Sequence, residues 1–128
     1  MAKNKNDLII LQKMKKHCEE IEEYLKAFDY SFDEFETNHL FKNALSMAMF
    51  STQELSNHLS VDFLEKTESE IKWHQLQGMR NYFGHEYEEM DNEIIFNSAI
   101  NDMSVLSDFL DKEIEKLEEL ENEEDEEE

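Results

Sequence analysis

Apolar residues recur along this chain at alternating spacings of three and four, the pattern of helices that bury one stripe and expose the rest. The first stretch runs from Leu11 to Phe28, with Leu11, Met14, Cys18, Ile21, Leu25 and Phe28 on one face and lysine and glutamate opposite. DYSFDEFETN then interrupts it. Its Ser31, Asp33, Thr37 and Asn38 favour turns and helix starts, because their side chains accept backbone N–H bonds. Beyond this break, HLFKNALSMAMFSTQELSNHLS runs on without a breaker. Its Phe41, Ala44, Leu45, Ala48, Met49 and Leu55 cover more than one face, which predicts the most buried helix.

After Ser60, VDFLEKT is long enough for a turn or two of helix. Thr67 followed by Glu70 has the spacing of a capping box, predicting a helix from near Glu68 that carries Ile71, Leu76, Met79 and Phe83 inward. Asp91 stands where it can cap a last helix, whose Phe96, Met103, Leu106, Leu110, Ile114, Leu117 and Leu120 again step by three and four or by their sum. Past Leu120 the apolar residues stop. The pattern therefore predicts an all-α protein, an antiparallel four-helix bundle with a short extra helix between the second and third long ones. The helical domain is expected over residues 1–117. The like-charged segment 118–128, with nothing to bury, is expected to be a disordered acidic tail.

Composition agrees with that outline and narrows the function. The chain has 128 residues, two glycines and no proline, enough for one modest core and poor in the punctuation that hairpins need. A net charge of −21 opposes broad binding to nucleic acid, which requires neutralising phosphates with lysine and arginine. Nine of the last eleven side chains are acidic and none is basic, so part of that charge is local. The remainder is still acidic, so nucleic-acid chemistry here must rest on a small site. No run approaches the ~20 apolar residues of a membrane span, and MAKNKNDLII is too polar for a secretory signal. The expected location is the cytoplasm, with no membrane partner. Cys18 is the single cysteine, so an internal disulfide is impossible.

The candidate chemistry lies in RNYFGHEY, Arg80 to Tyr87, which contains the one arginine of the chain. Arginine supplies a planar, permanently charged fork that grips phosphate oxygens in pairs, where lysine supplies only a point charge. His85 follows five positions later, and histidine titrates near neutrality. These residue types suit cleavage of RNA without a metal: the imidazole moves the proton of the 2′-hydroxyl or of the leaving oxygen, and the guanidinium stabilises the phosphorane. On a regular helix Arg80 and Tyr87 share a face while His85 lies about 140° from Arg80. Two remedies would join them: a loosening of the helix at Gly84, or a two-fold dimer pooling both pairs in one cleft. A surface arginine and a core histidine at this spacing also arise without function. Metal ligation has weaker support, since Glu36 and His39 form one E-x-x-H without the second that a di-iron bundle needs. No H-E-x-x-H and no Cys-x-x-Cys is present, so neither a metal nor a cofactor is expected.

The run IKWHQLQGMRNYFGHEYEEMD, Ile71 to Asp91, resembles the HEPN-domain toxins of the HepT type, with their tryptophan, then G-M-R-N, then H-x-Y and an Asp shortly after. SMAMFSTQELSNHLSVDF is similar to the preceding family helix, and the resemblance extends roughly from Leu8 to Leu117. It implies an all-helical homodimer and a metal-independent endoribonuclease whose two R-x4-H motifs face each other at the dimer interface. By match, Arg80 and His85 take the catalytic positions and Asn81 the supporting polar position after the arginine. The resemblance further implies a toxin–antitoxin system with a minimal nucleotidyltransferase antitoxin, which silences the toxin by adding AMP to the tyrosine matched by Tyr87. The substrate class would be RNA, tRNA or mRNA. The alternative is a non-catalytic helical module that docks a nucleotidyltransferase, with Arg80 and His85 holding the interface.

Overall fold

The computed structural model describes residues 2–86 and 89–127, with side chains over 6–83 and 89–125. Among the described residues lie seven α-helices and one π-helical turn: α1 Ala2–Ala27, α2 Phe32–Thr37, α3 His39–Ser56, α4 Val61–Thr67, α5 Trp73–Glu86, α6 Asn92–Asn97, the π turn Ser98–Asp102, and α7 Met103–Glu127. Since α6, the π turn and α7 follow one another without a break, the chain forms four long rods, α1, α3, α5 and α6–α7, with α2 and α4 as short connectors. The all-α bundle expected from the hydrophobic pattern is therefore what folds.

The predicted stripes enclose one core. Leu11, Met14, Cys18, Ile21 and Leu25 of α1 meet Phe41, Leu45 and Met49 of α3 and Met103, Leu106 and Leu110 of α7, all of them buried. Polar contacts set the antiparallel register of these rods. The carboxylate of buried Asp7 accepts from the Ser60 N–H at 2.8 Å and from its hydroxyl at 2.7 Å, tying the start of α1 to the loop after α3. Farther along, Lys15 donates to Ser107 at 2.6 Å and pairs with Asp111 at 3.0 Å. Each end of the bundle is closed by aromatics. At one end Phe28 stacks on Phe41 at 4.4 Å, and Phe35 meets Phe41 and Phe96 at 5.7 and 5.4 Å. At the other, Phe63, Trp73 and Phe109 meet pairwise at 5.9 to 6.3 Å.

The DYSFDEFETN break forms with the helix starts its residues favour, and it adds a second short helix to the one expected: α2, whose start is capped by the Ser31 hydroxyl accepting from the Glu34 N–H. Asn38 ends α2 and starts α3 at once: its N–H donates to the Glu34 carbonyl, and its side chain accepts from Leu40 and Phe41. A cap residue so placed permits two helices with almost no loop between them. The capping box at Thr67 and Glu70 does not form, and α5 begins at Trp73 rather than near Glu68. Thr67 instead closes α4, its hydroxyl donating to the Phe63 carbonyl at 2.7 Å and accepting the Trp73 indole N–H at 3.0 Å. Burial of Trp73 needed a partner for that N–H, and Thr67 supplies it. Finally, the acidic segment continues α7 as helix to Glu127. Glutamate is a good helix former and no breaker interrupts the run, so propagation from the packed part of α7 carries the helix past the last apolar residue.

Candidate functional site

Arg80 sits on α5 where that helix leans on α3. Leu76 and Phe83, one turn to either side, bury themselves toward the core and fix the rotation of α5. The guanidinium then meets the solvent edge of α3. Its Nε–H donates to the carboxylate of Glu54, and its Nη1 donates to the Asn81 side-chain oxygen at 3.1 Å. The cation lies over the Phe50 ring, 5.6 Å from the centroid, within range of a cation–π attraction. Phe50 and Glu54 are one turn apart on α3, so a single helix face provides both a floor and a side anchor.

The pair is accessible, with Arg80 30% and Glu54 38% exposed. A guanidinium has five N–H bonds, and these contacts engage two of them. A partly desolvated, oriented fork of this kind is suited to holding two oxygens of one anion. Asn81, which is exposed, turns its oxygen to Arg80, so its amide N–H groups are the part directed elsewhere.

Of the sequence-selected residues, the fold thus brings Arg80 and Asn81 together. The backbone of His85 is part of α5, which continues as α-helix through Gly84 to Glu86, so the loosening at Gly84 does not occur. A continuous helix leaves His85 about 140° around from Arg80. The His85 side chain and the whole of Tyr87 lie outside the described residues. Glu36 and His39 belong to different helices, α2 and α3, and the described residues hold no group of three metal-ligating side chains. A separate recess of about 260 Å³ opens between α5 and the π turn, lined by Ile71, Leu76, Met79, Ser98, Val105 and Leu106 among others, and Arg80 is not part of it.

Glu54 and Phe50 were not selected from the sequence. One signal was present: Glu54 is the single carboxylate of α3, in a chain with 33 acidic residues. A lone charge near the end of the most apolar helix has a reason to be there, but only the docking of α5 reveals that the reason is Arg80.

Fold and site together define an all-helical protein that holds one oriented arginine at the junction of two helices. Residues 14–113 match the family described as Ribonuclease HepT-like, and the chain belongs to that family. Membership supports nuclease activity. No curated protein and no solved structure matches the chain.

Proposed function

We propose that the chain is the toxin of a HEPN and nucleotidyltransferase toxin–antitoxin pair, a metal-independent endoribonuclease acting in the cytoplasm on tRNA or mRNA. The observation that carries this reading is the mounting of Arg80 by Glu54, Phe50 and Asn81, in a chain of a ribonuclease family. In the proposed reaction His85 takes the proton of a ribose 2′-hydroxyl, whose oxygen attacks the adjacent phosphorus. The bond to the 5′-oxygen breaks, leaving a 2′,3′-cyclic phosphate, and that oxygen takes a proton from the imidazolium of His85 or of its counterpart in a second copy, while Arg80 stabilises the charge on the phosphorane. Asn81 supports the arginine.

The continuous helix from Arg80 to His85 favours a homodimer, because positions 80 and 85 lie about 140° apart around one regular helix. The surface beside the site favours it too. Leu40 and Met47 are 80% and 62% exposed on the α3 stripe that leads to Glu54, an apolar strip suited to a second copy. Tyr87, seven positions after Arg80, is the proposed site of AMP addition by the antitoxin. A phosphate attached there would compete for the guanidinium and block the cleft.

The deciding experiment is cleavage of a labelled tRNA pool by the purified chain in EDTA, beside His85→Ala. Cleavage that vanishes in the variant is the expected result. The net charge of −21 favours one other reading, a non-catalytic module that docks a nucleotidyltransferase. Absence of cleavage by the unmodified dimer, with tight binding to such an enzyme, would replace the first reading with the second.

A further inference from the structure

We propose that Glu54 is the positioning residue of the site: its carboxylate holds Arg80 by the Nε edge so that the Nη edge meets the scissile phosphate. The proposal rests on the nuclease reading and adds to it a residue from a different helix. Its basis is the directional character of the contacts. An unanchored arginine side chain explores many rotamers, and a phosphorane is stabilised only by donors already in place when charge develops. Glu54 removes one rotational freedom through Nε, the Phe50 ring removes another from below, and Asn81 takes one N–H of Nη1. Phe50 and Glu54 lie on α3, whose core residues Leu45, Met49 and Gln53 are fully buried, so the anchor is as rigid as the bundle.

The same contact admits an opposite interpretation, a latch in which Glu54 competes with phosphate for Arg80. The edge that is occupied argues against it. A competitor for phosphate would grip the outer Nη pair, the edge that the proposal assigns to phosphate, whereas Glu54 takes the Nε–H and leaves that edge open. The two roles also differ in sign. Removing a carboxylate beside an anion site eases binding by charge alone, so a latch predicts faster cleavage, and a positioning residue predicts slower cleavage without weaker binding.

The chain has one arginine, so its Nε–H gives a single nitrogen-15 NMR signal that needs no assignment. The experiment follows that signal, cleavage of a labelled tRNA pool, and binding of a 2′-O-methyl RNA oligonucleotide, in wild type, Glu54→Gln and Glu54→Ala. Expected in wild type is a shifted, slowly exchanging Nε–H signal. In Glu54→Ala it should move to the position of free arginine and exchange fast, while kcat falls about 10- to 100-fold and oligonucleotide affinity holds or rises. Glu54→Gln, which retains an acceptor oxygen, should recover part of both losses. An unchanged signal in Glu54→Ala, or faster cleavage, would overturn the proposal. If wild type cleaves nothing, the nuclease reading falls separately. The signal then decides whether Glu54 orients Arg80, and unaltered exchange would remove that role as well.

Discussion

The site turns on what a single guanidinium can do that an ammonium cannot. Arg80 is anchored through Nε, a group that lysine lacks, so Arg80→Lys removes the anchor and the fork together. That substitution is expected to lower cleavage roughly 10²-fold while the melting temperature changes little, since Arg80 is partly exposed; single-turnover kinetics and a thermal melt check it. Equal activity in the lysine variant would reduce the arginine to a charge. The other chemically reactive side chain, Cys18, is silenced by its position. Burial pushes its thiol from an ordinary 9.0 up to about 12, with nearby Lys15 opposing in part. Between those values the unfolded chain has released the proton and the folded chain still holds it, so stability is lost as pH rises from about 9 toward 12. Cys18→Ala should flatten that part of the stability–pH curve, as urea titrations at several alkaline pH values would show.

At the level of elements, the helices are set by caps and contacts that can be removed one at a time. Asp7 is the strongest case, a buried carboxylate that holds both the N–H and the hydroxyl of Ser60, which in turn caps α4 on the Phe63 N–H. Asp7→Ala leaves those donors without an acceptor and is expected to destabilise the fold by about 2–3 kcal/mol, measured by urea unfolding. Gly78 provides the opposite sign. It lies in the interior of α5, and a Cβ added there meets nothing within 4 Å, so Gly78→Ala should stabilise the protein by roughly 0.5–1 kcal/mol. Thermal unfolding of that variant tests whether α5 is as regular around the site as described. The failed capping box at Thr67 belongs to this scale as well. Both Thr67 and Glu70 have the right residue type, yet the indole N–H of Trp73 needed the same hydroxyl, and a tertiary contact overrode the local motif.

Over the whole molecule, charge is the dominant imbalance. With −21 net charges and α7 drawn out as helix through an acidic end, the folded state repels itself. Added sodium chloride should therefore raise the melting temperature, and deletion of residues 118–128 should shrink that rise; a decrease in stability with salt would contradict the account. RNA affinity has a different dependence. A site built on one arginine neutralises few phosphates, so the slope of log affinity against log salt should be shallow.

How much of this could be read without coordinates differs between fold and site. The stripes of α1 and α7, the buried character of α3, and the cap at Asp91, whose side chain accepts from Glu93 at 2.8 Å, follow from spacing alone, because each depends on residues within one helical turn. Arg80 stood out as the one arginine of the chain, and Asn81, His85 and Tyr87 joined it as a group through the resemblance of their run to the family. What only the tertiary structure decided are matters of packing: that Thr67 serves the buried indole of Trp73, and that the carboxylate which holds Arg80 comes from Glu54, 26 positions away. Helical periodicity determines which side chains share a face. Which face meets which is settled by the packing of α5 on α3, and the orientation of the one arginine is a product of that packing.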